Sequence, residues 1–310
     1  MERRPSFGDS RWAALDGDHV HYLDFGGPPG GPVVIAVHGL GGSVLNWLAI
    51  APLLTGECRL LAPDLAGHGL TRTRNRCSTV AASRLLLDRF VEHVAGGPVI
   101  LMGNSMGGMV SLLEAAERPE TVAGLILLDA ATSFGPALPA PMVAAVFALY
   151  TAPWLGAVVR ARRWALTAET AVGFMLRVCC ADPSRVPPDI VAEHVRLTRH
   201  RAELAYAEQD FLQAARSVVR TAAGLSYRAA IRSVRAPALL VHGDRDLLVP
   251  VAGSRALVRS HPSWQLVILG GVGHTPQMEA PRETADAVSR WLGTVGAVVE
   301  AARHPLAKRG

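Results

Sequence analysis

The feature that most constrains this chain is a rhythm of short, almost wholly apolar runs: Val33–Val37, Arg59–Ala62, Val99–Met102, Leu125–Leu128, Ala238–Val241 and Leu266–Leu269. Such runs lack the alternation of a strand with one wet face, so they suit strands buried on both faces. Stretches with helical apolar spacing fall between them, including Val44–Leu54, Thr79–Val94 and Met106–Ala116, and Pro281–Trp291 follows the last. Helices packed on both sides of a parallel sheet bury strands in this way, so the predicted class is α/β with a mostly parallel, doubly wound sheet. The start is expected to be antiparallel. Trp12 to Phe25 alternates about Asp16-Gly17-Asp18, and Asp-Gly supplies the positive φ of a tight hairpin turn.

The rhythm has one gap. Between Asp129 and Pro237 no comparable run occurs, and the segment is rich in Ala, Leu, Val and Arg at helical spacing. It predicts a helical cap over 134–226, carried by a core domain made of 1–133 and 227–310. Inside it, Ala130 to Val159 has no charged residue and is long enough to cross a bilayer. Pro136, Pro139, Pro141 and Pro153 interrupt that stretch, and the segments on either side carry the chemistry of one site, so no transmembrane span is expected. The tail after Val299 is small and charged and is expected to be loosely ordered.

Composition narrows the partners. The hydrophobic share of 50% and charged share of 18% are those of a folded globular protein. The net charge of +5 is spread without a dense Lys/Arg run, which argues against nucleic acid. Cys58, Cys77, Cys179 and Cys180 lack metal-ligand spacing and read as free thiols, and Met1 to Ser10 has no apolar leader, so a cytoplasmic location is expected. With no zinc-like cluster and no phosphate-binding glycine loop with its lysine, neither a metal nor another cofactor is implied.

The chemistry concentrates after the apolar runs. Gly103-Asn104-Ser105-Met106-Gly107-Gly108 follows one run and opens a helix, a G-x-S-x-G turn whose small residues leave room for a proud serine. A serine hydroxyl is a weak nucleophile, so a base must take its proton and an acid must hold that base in the right tautomer. Gly271-Val272-Gly273-His274 follows the last run and offers His274 as the base. Gly243-Asp244-Arg245-Asp246 follows the run before it, and Asp246, Asp244 and Asp129 all stand at strand ends as acids. Oxyanion donors are expected from Met106 N–H and, in the turn His38-Gly39-Leu40-Gly41-Gly42, from Leu40 N–H. Asn46, Trp47 and Asn104 are candidates for substrate contact. His38, His68 and His242 read as hydrogen-bonded structural histidines.

These motifs, with Asp64-Leu65-Ala66-Gly67-His68-Gly69, Val249-Pro250, Glu279 and Pro281, resemble the α/β-hydrolase fold superfamily in its capped branch of esterases, lipases and carbon–carbon bond hydrolases. The resemblance covers most of the chain outside the cap. It implies Ser105 as nucleophile, Asp246 as orienting acid, His274 as base, and Leu40 and Met106 as oxyanion donors. An ester hydrolase with a small hydrophobic substrate is the expectation. The cap residues Met142, Val146, Phe147, Leu149 and Trp154 suggest an apolar acyl or alcohol group, or peripheral contact with lipid. A carbon–carbon hydrolase of vinylogous diketones is the alternative, although that group has a proline in the oxyanion turn and a tryptophan after the base, where this chain has Gly39-Leu40-Gly41-Gly42 and Thr275. A non-catalytic small-ligand receptor is the second alternative, since fold does not dictate function. Arg160, Arg162, Arg163 and Arg177 of the cap read as a solvated face.

Overall fold

The computed structural model describes residues 7–75, 77–132, 167–204 and 206–303, with side chains of the last helix described as far as 295. The chain opens with the expected hairpin, β1 (Asp9–Leu15) and β2 (Asp18–Asp24), in which Asp16 and Gly17 take φ of 50° and 89°. The apolar runs form β3 (Val33–Val37), β4 (Arg59–Pro63), β5 (Val99–Asn104), β6 (Val122–Leu128), β7 (Ala238–Gly243) and β8 (Gln265–Leu269). They assemble into one sheet of 8 strands in the order β1-β2-β4-β3-β5-β6-β7-β8. β2 runs antiparallel to both β1 and β4, and every pairing from β4 to β8 is parallel.

Apolar side chains cover both faces. On one face Leu86, Leu87 and Phe90 of α2 (Val80–Phe90) and Met109 and Val110 of α3 (Met106–Glu117) pack on Ile35, Leu101 and Leu127. On the other, Leu54 of α1 (Ala51–Leu54) and Val288 and Trp291 of the last helix, Pro281–Arg303, pack on Val34, Ile100 and Ile126. A Cβ at Gly124 would stand 2.8 Å from Trp291 Cη2, so glycine lets the indole lie on the sheet. Full burial of each such Leu, Ile or Val contributes roughly 1.5–3 kcal/mol.

The described part of the segment between β6 and β7 is helical: α4 (Ala168–Cys179), α5 (Pro188–Ala202), α6 (Ala207–Ala223) and α7 (Leu225–Ser233). α7 crosses the 226/227 boundary expected from sequence, and the 133/134 boundary lies outside the described residues. So do the apolar residues from Met142 to Trp154, the arginines at 160, 162 and 163, and most of the uncharged stretch. Among the described residues no helix is long and apolar enough to cross a membrane.

Three expectations are corrected. Val44–Leu54 is not one helix but a 3-10 turn, Val44–Trp47, followed by α1, because Pro52 has no N–H with which to continue the ladder. Leu266–Leu269 is not doubly buried: β8 is the sheet edge and its residues are half-exposed. The last helix does not stop at Trp291 but runs to Arg303, past the point where a loose tail was expected.

Candidate active site

Ser105 sits between β5 and α3 with φ 54° and ψ −117°, a left-handed conformation that costs a non-glycine residue on the order of 1–3 kcal/mol. The surroundings impose it. Ser105 N–H donates to Leu128 O at 3.0 Å, and Ser105 O accepts from Met109 N–H at 3.1 Å and Ala131 N–H at 3.0 Å. The flanking glycines permit the approach, since a Cβ at Gly107 would lie 1.9 Å from Val37 O and one at Gly103 2.5 Å from Gly107 O.

His274 lies on the loop after β8, nearly buried, with Nδ1 at 2.7 Å from Asp246 Oδ2. Asp246 is held from its other side by Leu248 N–H and Val249 N–H, which donate to Oδ1 at 2.7 and 3.0 Å. Burial alone would raise the Asp246 carboxyl, but the charge of His274 and hydrogen bonds from His242, His274 and Val249 outweigh it and hold the group below the usual carboxylate range. The ionised carboxylate therefore keeps the proton of His274 on Nδ1 and leaves Nε2 as an acceptor.

The competing acids fall elsewhere. Asp244 is exposed and accepts from Gly271 N–H at 2.7 Å. Asp129 is buried, accepts from Gly243 N–H at 3.0 Å, and is pushed well above the carboxylate range by burial and then by the charge of Asp246. Ligand-type atoms of Asp129, Asp246 and His274 lie within 4.8 Å of one another, an arrangement that could hold a cation. Here Asp246 Oδ2 is already engaged with His274 Nδ1 and Asp246 Oδ1 with two N–H groups, so the trio reads as an acid–base network.

The turn after β3 closes on Ser105: a Cβ at Gly39 would be 3.1 Å from Ser105 Cβ. His38 fixes it, donating from Nδ1 to Gly39 O at 2.8 Å and accepting Leu65 N–H on Nε2 at 3.0 Å. His68 Nδ1 donates to Ala66 O at 2.9 Å, and burial pushes that imidazole down to about 3. His242 is bracketed by Ser254 Oγ at 2.8 Å and Val249 O at 2.9 Å. All three are the partnered turn and core histidines that sequence predicts. Among the described residues neither Leu40 N–H nor Met106 N–H has a protein acceptor. The Ser105 hydroxyl likewise has no described partner, and such contacts often tighten only with substrate bound.

The three substrate-contact candidates are packed or hydrogen-bonded into the frame. Trp47 is fully buried in the core beneath the sheet. Asn46 caps its own turn, with Oδ1 accepting Ser43 N–H at 2.9 Å and Nδ2 3.5 Å from Met278 Sδ. Asn104 Nδ2 donates to Leu128 O and to His274 O, both at 3.0 Å, and so ties the base loop to the strand that carries Ser105.

Two residues had no role assigned from sequence. Glu279, buried, accepts Gly273 N–H at 2.7 Å and Ala181 N–H at 3.1 Å on Oε2, and Asp182 N–H at 2.7 Å on Oε1. It joins the base loop to the end of α4, where Cys179 O also accepts His274 N–H at 2.6 Å. Phe211 of α6 lies over the oxyanion turn, its ring 2.9 Å from where a Cβ of Gly41 would be. Pairings across an insertion carry no local periodicity, so only the Glu279-x-Pro281 spacing hinted at the first.

Residues 32–281 match the family described as alpha/beta hydrolase fold. The chain is 31% identical over 274 residues to the dihydrolipoyllysine-residue acetyltransferase component of the acetoin cleaving system of Pseudomonas putida, covering 87% of this chain and 66% of that protein. It is 30% identical over 262 residues to the pimeloyl-[acyl-carrier protein] methyl ester esterase of Aromatoleum aromaticum, covering 82% and 95%. The crystal structure of Cfl2 from Burkholderia cenocepacia superposes with a TM-score of 0.77 at 24% identity, covering 91% of this chain and 95% of that one, a likeness of fold.

Proposed function

The chain belongs to the alpha/beta hydrolase fold family, and we propose that it is a serine esterase in which Ser105, His274 and Asp246 form the catalytic triad. The observation that carries the reading is Ser105 held at positive φ against Gly39, with a buried Asp246–His274 pair tethered to the same strand end through Asn104.

Ser105 Oγ attacks the ester carbonyl carbon while its proton moves to His274 Nε2. Asp246 keeps the imidazole in the accepting tautomer and stabilises the imidazolium that forms. The carbonyl oxygen becomes an oxyanion facing Leu40 N–H and Met106 N–H, and each such donor stabilises the transition state by roughly 2.7–4 kcal/mol. The C–O bond to the alcohol breaks, His274 returns the proton to the departing oxygen, and water repeats the sequence on the acyl-enzyme. Phe211 over the turn favours an apolar acyl or alcohol group. Similarity to a methyl ester esterase supports the ester class.

Ser105→Ala should abolish turnover of p-nitrophenyl esters while leaving the fold intact. Retained turnover would show that the reactive group lies elsewhere. A series of acyl esters of graded length then defines the chain the site accepts.

A further inference from the structure

A second Ser–His–Asp relay stands at the β1 edge of the sheet. In the β1–β2 register Trp12 lies opposite His21 and Ser10 opposite Leu23, so Ser10, Trp12, Leu23 and His21 share one face and Ser10 is diagonal to His21. Ser10 Oγ is 2.9 Å from His21 Nε2, and His21 Nδ1 is 2.7 Å from Asp64 Oδ2. The relay runs from exposed to buried: Ser10 is exposed, whereas His21 and Asp64 are not. Trp12, 52% exposed, lies against the imidazole with ring centroids 5.1 Å apart.

Asp64 is rigidly held. Oδ1 accepts Val44 N–H and Oδ2 accepts Leu70 N–H, each at 2.9 Å, and its backbone oxygen accepts Thr71 Oγ1–H at 2.8 Å. A fixed carboxylate at Nδ1 requires that nitrogen to carry a proton, and in the neutral ring Nε2 is then the acceptor for the Ser10 hydroxyl proton. This is the arrangement that makes a serine oxygen a nucleophile. It lies on β1, four strand spacings from β5, or roughly 19 Å across the sheet.

We propose that Ser10 is an activated hydroxyl that accepts acyl groups from activated esters, a covalent modification site separate from Ser105. With p-nitrophenyl acetate, Ser10 Oγ forms a bond to the acetyl carbon and the carbonyl–phenolate bond breaks. The hydroxyl proton passes to His21 Nε2 and from there to the departing p-nitrophenolate.

The test uses Ser105→Ala protein, so its failure would leave the esterase reading untouched. The protein is exposed to p-nitrophenyl acetate, and acetylation of each serine is followed by peptide mass mapping. Ser233, exposed and, among the described residues, bonded to Ala230 O alone, serves as the internal reference. A positioned base supplies on the order of a hundredfold, so Ser10 should acetylate about that much faster than Ser233. His21→Gln in the same background should bring the two rates together, as should unfolding in urea, which needs no variant. Equal rates in the native protein would overturn the proposal. So would an advantage for Ser10 that survives either His21→Gln or urea.

Discussion

Asp246→Asn tests the site most sharply, because the structure dictates how the new amide must sit. Asp246 Oδ1 accepts two backbone N–H groups, from Leu248 and Val249, while Oδ2 faces His274 Nδ1. An asparagine with its nitrogen toward Leu248 and Val249 would set donor against donor and lose two hydrogen bonds, at about 1–3 kcal/mol for each group left unsatisfied. It will therefore keep its oxygen there and turn Nδ2 to His274. That amide donates to Nδ1, so the imidazole carries its proton on Nε2, aimed at the Ser105 hydroxyl it should deprotonate. In a Ser–His–Asp site the wrong tautomer lowers kcat by about 10⁴-fold, or about 5 kcal/mol of barrier. The assay is steady-state hydrolysis of a p-nitrophenyl ester, with thermal melting to show that the fold survives. Asp129→Asn is the paired control, since a neutral amide replaces a carboxyl already pushed toward its neutral form, and the cost should stay within about tenfold. The assignment fails if Asp246→Asn keeps more than about a tenth of wild-type turnover, or if Asp129→Asn is the variant that loses it.

Three further outcomes follow from buried groups. Glu279→Gln replaces a carboxylate that accepts from Gly273, Ala181 and Asp182 with an amide that must oppose at least one of them, so stability in urea should fall by about 2–4 kcal/mol and turnover should fall with it, because Gly273 precedes the base. Gly107→Ala puts a methyl 1.9 Å from Val37 O and should cost at least about 3 kcal/mol or prevent folding, read as loss of the cooperative melt. Glu114 is pushed from 4.5 up to about 7 by burial and the neighbouring Asp88, against the pull of Arg84 at 3.0 Å. The native state then holds a proton that the unfolded chain releases between pH 4.5 and about 7, so stability should decline by up to about 3 kcal/mol as pH rises through that window. Glu114→Gln should flatten the dependence of the urea midpoint on pH, and an unchanged slope would refute it.

Elements that announce themselves locally were legible in the sequence. Val33–Val37 matches β3 end to end, and Met106, the first residue of α3, is fixed by the turn that precedes it. What stayed hidden depends on distant partners. Half-exposure of β8 follows from its place at the sheet edge, which a wholly apolar run does not reveal. Trp47 at the start of a helix after the oxyanion turn looks like a pocket residue until the far face of the sheet closes over it. Asn104 ends β5 and precedes Ser105, yet its amide bonds a carbonyl 170 positions away.

Choosing the orienting acid shows the limit in its clearest form. Each functional group follows its own strand, and the sheet order β3-β5-β6-β7-β8 sets the oxyanion turn, Ser105, Asp129, Asp246 and His274 side by side at one edge. Adjacency alone therefore favours Asp129, which is nearer to Ser105 by one strand, as much as Asp246. The two buried carboxyls cannot both ionise at close range without large cost, so one keeps the charge and the other the proton. Hydrogen bonds decide which. Asp246 receives His274 Nδ1 and two backbone N–H groups, whereas Asp129 receives one N–H, from Gly243. Only the carboxylate that stays ionised can hold His274 in the accepting tautomer, so the backbone after β7, by turning Leu248 and Val249 N–H toward Asp246, favours it as the orienting acid we propose.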